Sequence, residues 1–164
     1  MATDLEQLYR EDFYAWALNQ AGELRRLAEM RPNVGLDFPN LIDEVESLAR
    51  SEIRATRSQI QRLLKHLLKL EFSPARESRV GWLNTVDDAR SELADDMTPT
   101  IRNIVEPELP QLYERAHRAA QRELLREGER EAADALPAEN PYPLDRLLDE
   151  GWYPTNRHGL VDEA

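Results

Sequence analysis

The sequence predicts an all-α protein, a single-domain helical bundle packed along one long central helix at about residues 38–72. Two observations carry that prediction. From Asn40 to Phe72 there is no glycine or proline, and Ile42, Val45, Ala49, Ile53, Thr56, Ile60, Leu63 and Leu67 recur in steps of three and four, as a helix burying one stripe requires. No segment shows the apolar–polar alternation of a strand. Such a helix spans about 45 Å, so the remaining helices must pack along it.

Each element is read from local signals. Thr3-Asp4-Leu5-Glu6 has the form of a capping box, which starts a helix by satisfying free amides of its first turn. Leu5, Leu8, Tyr9, Asp12, Phe13, Trp16, Ala17, Leu24, Leu27 and Ala28 mark one face of a single helix to about Met30. Arg31-Pro32-Asn33-Val34-Gly35 ends it. Asp37 is placed to cap the central helix, with Pro39 in its first turn, where a missing amide costs little. Ser73-Pro74 closes it. A third helix from near Ser78 or Val80 carries Trp82, Leu83, Val86, Ala89, Leu93 and Met97.

Thr98-Pro99 is an N-cap followed by a first-position proline. Pro107 and Pro110 should kink or break the helix it begins, before a regular run through Leu112, Tyr113, Ala116, Ala120 and Leu124. Gly128 and Pro137 loosen the chain beyond that run. A short helix is expected from Leu144 to Glu150, and Gly151-Trp152-Tyr153-Pro154 should dock its aromatics on the bundle. No linker or internal repeat divides the chain. Residues 1–154 therefore read as a single helical domain and 155–164 as a disordered tail.

Composition excludes several classes of function. The chain has 164 residues, 41% hydrophobic and 32% charged, with a net charge of -11 and no cysteine; the mean hydropathy is -0.68. Without cysteine there is no thiolate nucleophile, Cys-ligated zinc, Fe–S cluster or disulfide. No apolar run is long enough for a bilayer, and Met-Ala-Thr-Asp-Leu-Glu has neither the basic nor the apolar region of a signal peptide. A cytoplasmic location, with no membrane association, is expected. The acidic balance opposes nucleic-acid binding, which needs a positive field. Yet from Arg50 to Arg79 eight basic residues stand against three acids, a local +5. That stretch reads either as a solvated face paired with acidic neighbours or as a docking stripe, Arg50, Arg54, Arg57 and Arg62, for an acidic partner.

Three stretches, Leu8-Tyr9-Arg10-Glu11-Asp12-Phe13-Tyr14-Ala15-Trp16, then Asn40 to Glu52 running into Leu63-Leu64-Lys65-His66-Leu67-Leu68-Lys69, and Pro141-Tyr142-Pro143-Leu144-Asp145-Arg146-Leu147-Leu148-Asp149, resemble a bacterial family, domain of unknown function twenty-nine. They extend over Asp4 to Pro154 in the family's order. The resemblance implies an all-helical fold of bacterial or cyanobacterial origin and implies no established activity. Pro107 and Pro110 depart from it, since the family pattern there is a continuous helix.

Chemistry has few places to reside. Leu48, Glu52, Ala55, Gln59, Leu63, His66 and Leu70 form a line beside the main apolar stripe, which sets Glu52, Gln59 and His66 into a half-buried seam where polar groups need partners. Asp12 sits on the apolar face of the first helix. A catalytic or metal reading recruits Asp12, Glu52 and His66 from facing helices. Glu52 and His66 are about 21 Å apart along one helix and cannot share an ion by themselves. No His-x-x-x-His or Glu-x-x-His pair is present, His117 and His158 are the only other histidines, and no metal or cofactor is expected. There is no glycine-rich phosphate loop and no nucleophile elbow; acid pairs such as Asp87-Asp88 point apart on a helix.

The function read from the sequence is therefore a non-catalytic intracellular interaction module, with a protein partner or a second copy as its target. An antitoxin-like inhibitor is one form of it. A carboxylate and histidine enzyme site is the first alternative, and nucleic-acid binding along the arginines is the last.

Overall fold

Asp12 divides what the apolar spacing reads as one N-terminal helix into two. In the computed structural model, which describes residues 2–162 with side chains from Asp4 onward, α1 spans Ala2–Glu11 and α2 spans Phe13–Glu29. The capping box expected on Thr3 lies outside the described side chains. Asp12 leaves helical geometry at φ -149 and ψ 77, and its carboxylate accepts the Ala15 amide at 2.9 Å. Backbone bonds pass across the break, Asp12 N to Leu8 O at 2.8 Å and Trp16 N to Asp12 O at 2.9 Å. The apolar periodicity thus continues through a capping residue, which is why spacing alone reads one helix. Arg31 ends α2 in the left-handed region at φ 46; Pro32 bars it from continuing the helix.

The central helix, α3, spans Phe38–Phe72, 35 residues. Asp37 caps it, accepting the Asn40 amide at 3.3 Å. It buries Ala49, Ile53, Ile60, Leu63, Leu64, Leu67, Leu68, Leu70 and Phe72. Then come α4 (Arg79–Asp96) and α5 (Pro99–Val105), the latter capped by Thr98 Oγ1, which accepts from Ile101 N at 3.2 Å. The expected break at the prolines is real: a 3₁₀ turn, Glu106–Glu108, separates α5 from α6, Leu109–Arg126. Gly128 turns the chain at φ 80, and α7 (Arg130–Ala135) and α8 (Leu144–Leu148) complete the order. The described residues contain no strand.

Two compact units emerge. The first comprises residues 1–55 with 98–104, the second residues 56–97 with 105–164. The N-terminal half of α3 belongs to the first and its C-terminal half to the second. In the second unit Ile60, Leu64, Leu67, Leu68, Val86, Leu93, Leu112, Tyr113, Leu124, Leu144 and Leu147 form a broad apolar core.

The tail beyond Pro154 is not disordered through its described residues; it closes the end of α3. Asn156, 5% exposed, donates to Leu70 O at 2.8 Å and to Ser73 O at 2.9 Å. Arg157 N donates to Glu71 O at 2.8 Å, and His158 Nε2 donates to Phe72 O at 3.0 Å. Arg79 adds a bond to Leu70 O at 2.9 Å and holds Asp162 through Nε and Nη2 at 2.6 and 2.8 Å. A helix end has carbonyls with no partner inside the helix. Here residues more than eighty positions later supply the donors, a relation no local pattern contains. Arg90, 2% exposed, does the same for α8, donating to Leu147 O at 2.8 Å and Arg146 O at 3.3 Å. Tyr153 places its ring under Arg90, 5.2 Å away, and Trp152 meets Tyr142 edge-on at 5.8 Å, so the aromatics near the C-terminus dock as expected.

Candidate interaction surface

The sequence-derived site residues fall in both units, and each has local work to do. Asp12 and Glu52 belong to the first unit and His66 to the second. Asp12 is committed to the α2 cap. Glu52 is half-buried and has a partner. His66 is half-buried, with Nδ1 2.8 Å from the Arg62 carbonyl. A carbonyl offers only lone pairs, so Nδ1 carries the proton and donates. Gln59, in the same seam, bonds Glu92 on α4, while its carbonyl oxygen is buried without a partner. Among the described residues no three His, Asp or Glu side chains gather as ligands of one ion would.

Beside His66 lies a cluster of charged groups of the second unit. Lys65 and Lys69 on α3 both reach Glu123 on α6, at 2.8 and 2.7 Å, and the Lys69 ammonium lies 4.6 Å from the centre of the Trp82 ring. Burial pushes His66 down from 6.5 to about 4, with Lys65 and Lys69 adding to the effect. Burial works against the ionised Glu123, but the hydrogen bonds and charges of the two lysines overcome it and hold it at about 2.

His66 should make stability depend on pH. Its folded pKa lies below its unfolded one, so unfolding takes up a proton between pH 6.5 and about pH 4. The neutral imidazole's contribution is complete above pH 6.5 and is lost as pH falls toward 4. Discounted for partial exposure, the expected loss between pH 7 and pH 5 is about 1–2 kcal/mol. Urea unfolding at the two pH values measures it, and His66→Gln should remove that part of the slope.

Of the four arginines that mark a docking stripe, two are engaged. Arg57 grips Glu108 with two bonds of 2.7 Å, and Arg50 reaches Asp43 at 3.3 Å and Glu46 at 3.9 Å. Arg54 and Arg62 are exposed and form no ion pair among the described residues. The +5 stretch is thus partly balanced by acids of α3 itself and of the 3₁₀ turn.

What residue-by-residue reading missed is how many large apolar side chains of the first unit stay exposed. Among the described residues twelve large apolar side chains stand out as exposed, and nine of them belong to the first unit: Leu5, Tyr9, Leu18, Leu27, Met30, Val34, Leu36, Leu41 and Leu48, at 37–69%. The buried apolar residues of that unit are Ala17, Ala21, Ala49, Ile53 and Ile101. Tyr9 packs edge-on against Phe13 and Trp16, with ring centres 5.5 and 4.8 Å apart, so α1 folds its aromatic residue onto α2. Part of the signal was present in the sequence: Leu5, Tyr9 and Leu27 belong to the apolar face read there, but a stripe does not say whether the chain itself covers it.

The described residues are therefore helical and free of strands, and none of the described helices is long and apolar enough to cross a membrane. The protein belongs to the family described as Domain of unknown function DUF29, whose model matches residues 8–153. The chain is similar to a solved structure, an alpha-helical protein of unknown function from Rhodospirillum rubrum ATCC 11170. The two are 26% identical, the match covers 87% of this chain and 89% of that one, and the TM-score is 0.77. No curated protein matches. The family resemblance and the all-helical fold built along a long central helix are both borne out.

Proposed function

We propose that this chain is a non-catalytic protein-interaction module and that its first unit presents the docking face. One observation carries the reading: a unit that buries three alanines and two isoleucines leaves nine large apolar side chains exposed. Exposed apolar area of this kind marks a surface that is covered in an assembly. Arg54, exposed on α3 in the same unit, supplies a polar rim group for such a contact, as interfaces have.

Native mass spectrometry on protein purified gently from its source tests this. The expected spectrum shows assemblies heavier than the 19.0 kDa chain. A triple variant Leu5→Gln, Leu27→Gln, Met30→Gln should retain its helicity and lose the assemblies, because these side chains are 42%, 39% and 69% exposed. A lone 19.0 kDa chain at every concentration would sink the reading.

A further inference from the structure

On α3 the first unit leaves one line of the helix open. Leu41, Leu48 and Ala55 recur at every seventh residue and are all exposed, Leu41 at 37% and Leu48 at 44%. Between them stand Phe38, Val45 and Glu52, each half-buried, so the line reads Phe38-Leu41-Val45-Leu48-Glu52-Ala55 in alternating steps of three and four. That is the spacing of a coiled-coil seam. It is distinct from the buried stripe through Ala49 and Ile53, which begins one residue on and about 100° round the helix.

Charge along the same stretch changes sign at its middle. Residues 37–49 hold Asp37, Asp43, Glu44 and Glu46 and no base; residues 50–62 hold Arg50, Arg54, Arg57 and Arg62 and one acid, Glu52. A parallel copy would set acid on acid and base on base. An antiparallel copy related by a two-fold axis at Leu48 does the reverse for most of the charges, bringing Leu41 opposite Ala55, Glu46 opposite Arg50 and the Asp43–Glu44 pair alongside Arg54, against one like pair, Glu44 opposite Glu52. A two-fold contact requires a surface complementary to itself, and this one is so in apolar spacing and in the greater part of its charge. Resting on the interaction reading above, we infer that the occupant of this seam is a second copy of the chain, with the two α3 helices antiparallel about Leu48.

The absence of cysteine makes the test direct. Leu48→Cys places one thiol at the axis, and oxidation with copper–phenanthroline should convert most of the protein to a disulfide-linked pair. Val80→Cys, 67% exposed in the second unit, should remain uncoupled. In sedimentation equilibrium Leu48→Glu should weaken self-association about a hundredfold, because it sets two carboxylates face to face in an apolar centre. Glu44→Arg and Arg54→Glu should each weaken it about tenfold, and the double variant should recover most of the loss, since the swap restores an opposite-charge pair between positions 44 and 54.

A dimer indifferent to Leu48→Glu overturns the seam, and a swap that fails to recover overturns the antiparallel arrangement. A chain that stays monomeric at about 100 μM overturns the pairing. If that chain still forms a complex with a different protein through the first unit, the interaction reading stands without this occupant. A lone chain under all conditions removes both.

Discussion

A chain ended after Pro154 should lose about 4–6 kcal/mol of stability. Its removed residues carry the Arg157 amide on Glu71 O, the two Asn156 bonds to Leu70 O and Ser73 O, and the His158 ring on Phe72 O. Carbonyls at the end of α3 would then face a partly apolar surface with fewer donors. Arg79, 5% exposed, would keep only its bond to Leu70 O after losing both bonds to Asp162, and a buried charge stripped of its partner is costly.

Asn156→Ala isolates part of this effect. It deletes two donated bonds and the accepted bonds from His158 N and Leu160 N, at 2.8 and 3.3 Å. The expected cost is about 3 kcal/mol, read as a fall in Tm of about 10 °C. Asn156→Asp should cost at least as much, because it presents a carboxylate to two carbonyl oxygens. A loss below about 1 kcal/mol for Asn156→Ala would mean that water serves these carbonyls as well as the side chain does.

Glu123→Ala should destabilise the second unit by about 3–4 kcal/mol. Glu123 is the shared acceptor of Lys65 and Lys69, and the Lys69 side chain retains 10% of its exposure. Without Glu123 that ammonium has the Trp82 ring at 4.6 Å as its remaining attraction, worth about 1–2 kcal/mol when desolvated. Lys65, whose side chain is 24% exposed, can turn to water. Adding Lys69→Met to Glu123→Ala should recover most of the loss, because exchanging a buried pair for apolar groups of similar volume is close to neutral. Chemical denaturation of the two single variants and the double variant measures the coupling. If the double variant is as unstable as Glu123→Ala, the cost is one of packing rather than of stranded charge.

What could be read in advance was whatever is written locally. Asp37 and Thr98 cap helices at their expected places because an N-cap side chain satisfies an amide three residues on. Pro107 and Pro110 break α5 from α6 because proline has no amide and clashes with the preceding turn. Asp12 escaped because the cap preserves the helical period on both sides, so Leu8, Asp12 and Trp16 remain in step. Its residue type, an aspartate on an otherwise apolar face, was the available clue. Arg79, Arg90 and Asn156 escaped for another reason: Arg90 and Asn156 are buried to serve carbonyls far along the chain, and Arg79 is held by the distant Asp162. The seam polar groups Gln59 and His66 were recognised as needing partners, but which partners depended on α4 and on the α3 backbone itself.

The closure of α3 by its distant tail sets an order of events in synthesis. The donor that reaches Leu70 O from Asn156 is 86 residues downstream of it. A nascent chain emerging from the ribosome therefore exposes the finished length of α3, with its last turn open to water, through the translation of five further helices and the loops between them. Contacts so far apart in sequence form late, since loop closure must precede them. Until residues 156–158 emerge, that turn frays and offers proteases an entry beside the apolar core of the second unit. A prematurely terminated product carries the same opening permanently. Quality control can thus distinguish a complete second unit from an incomplete one at a single helix end.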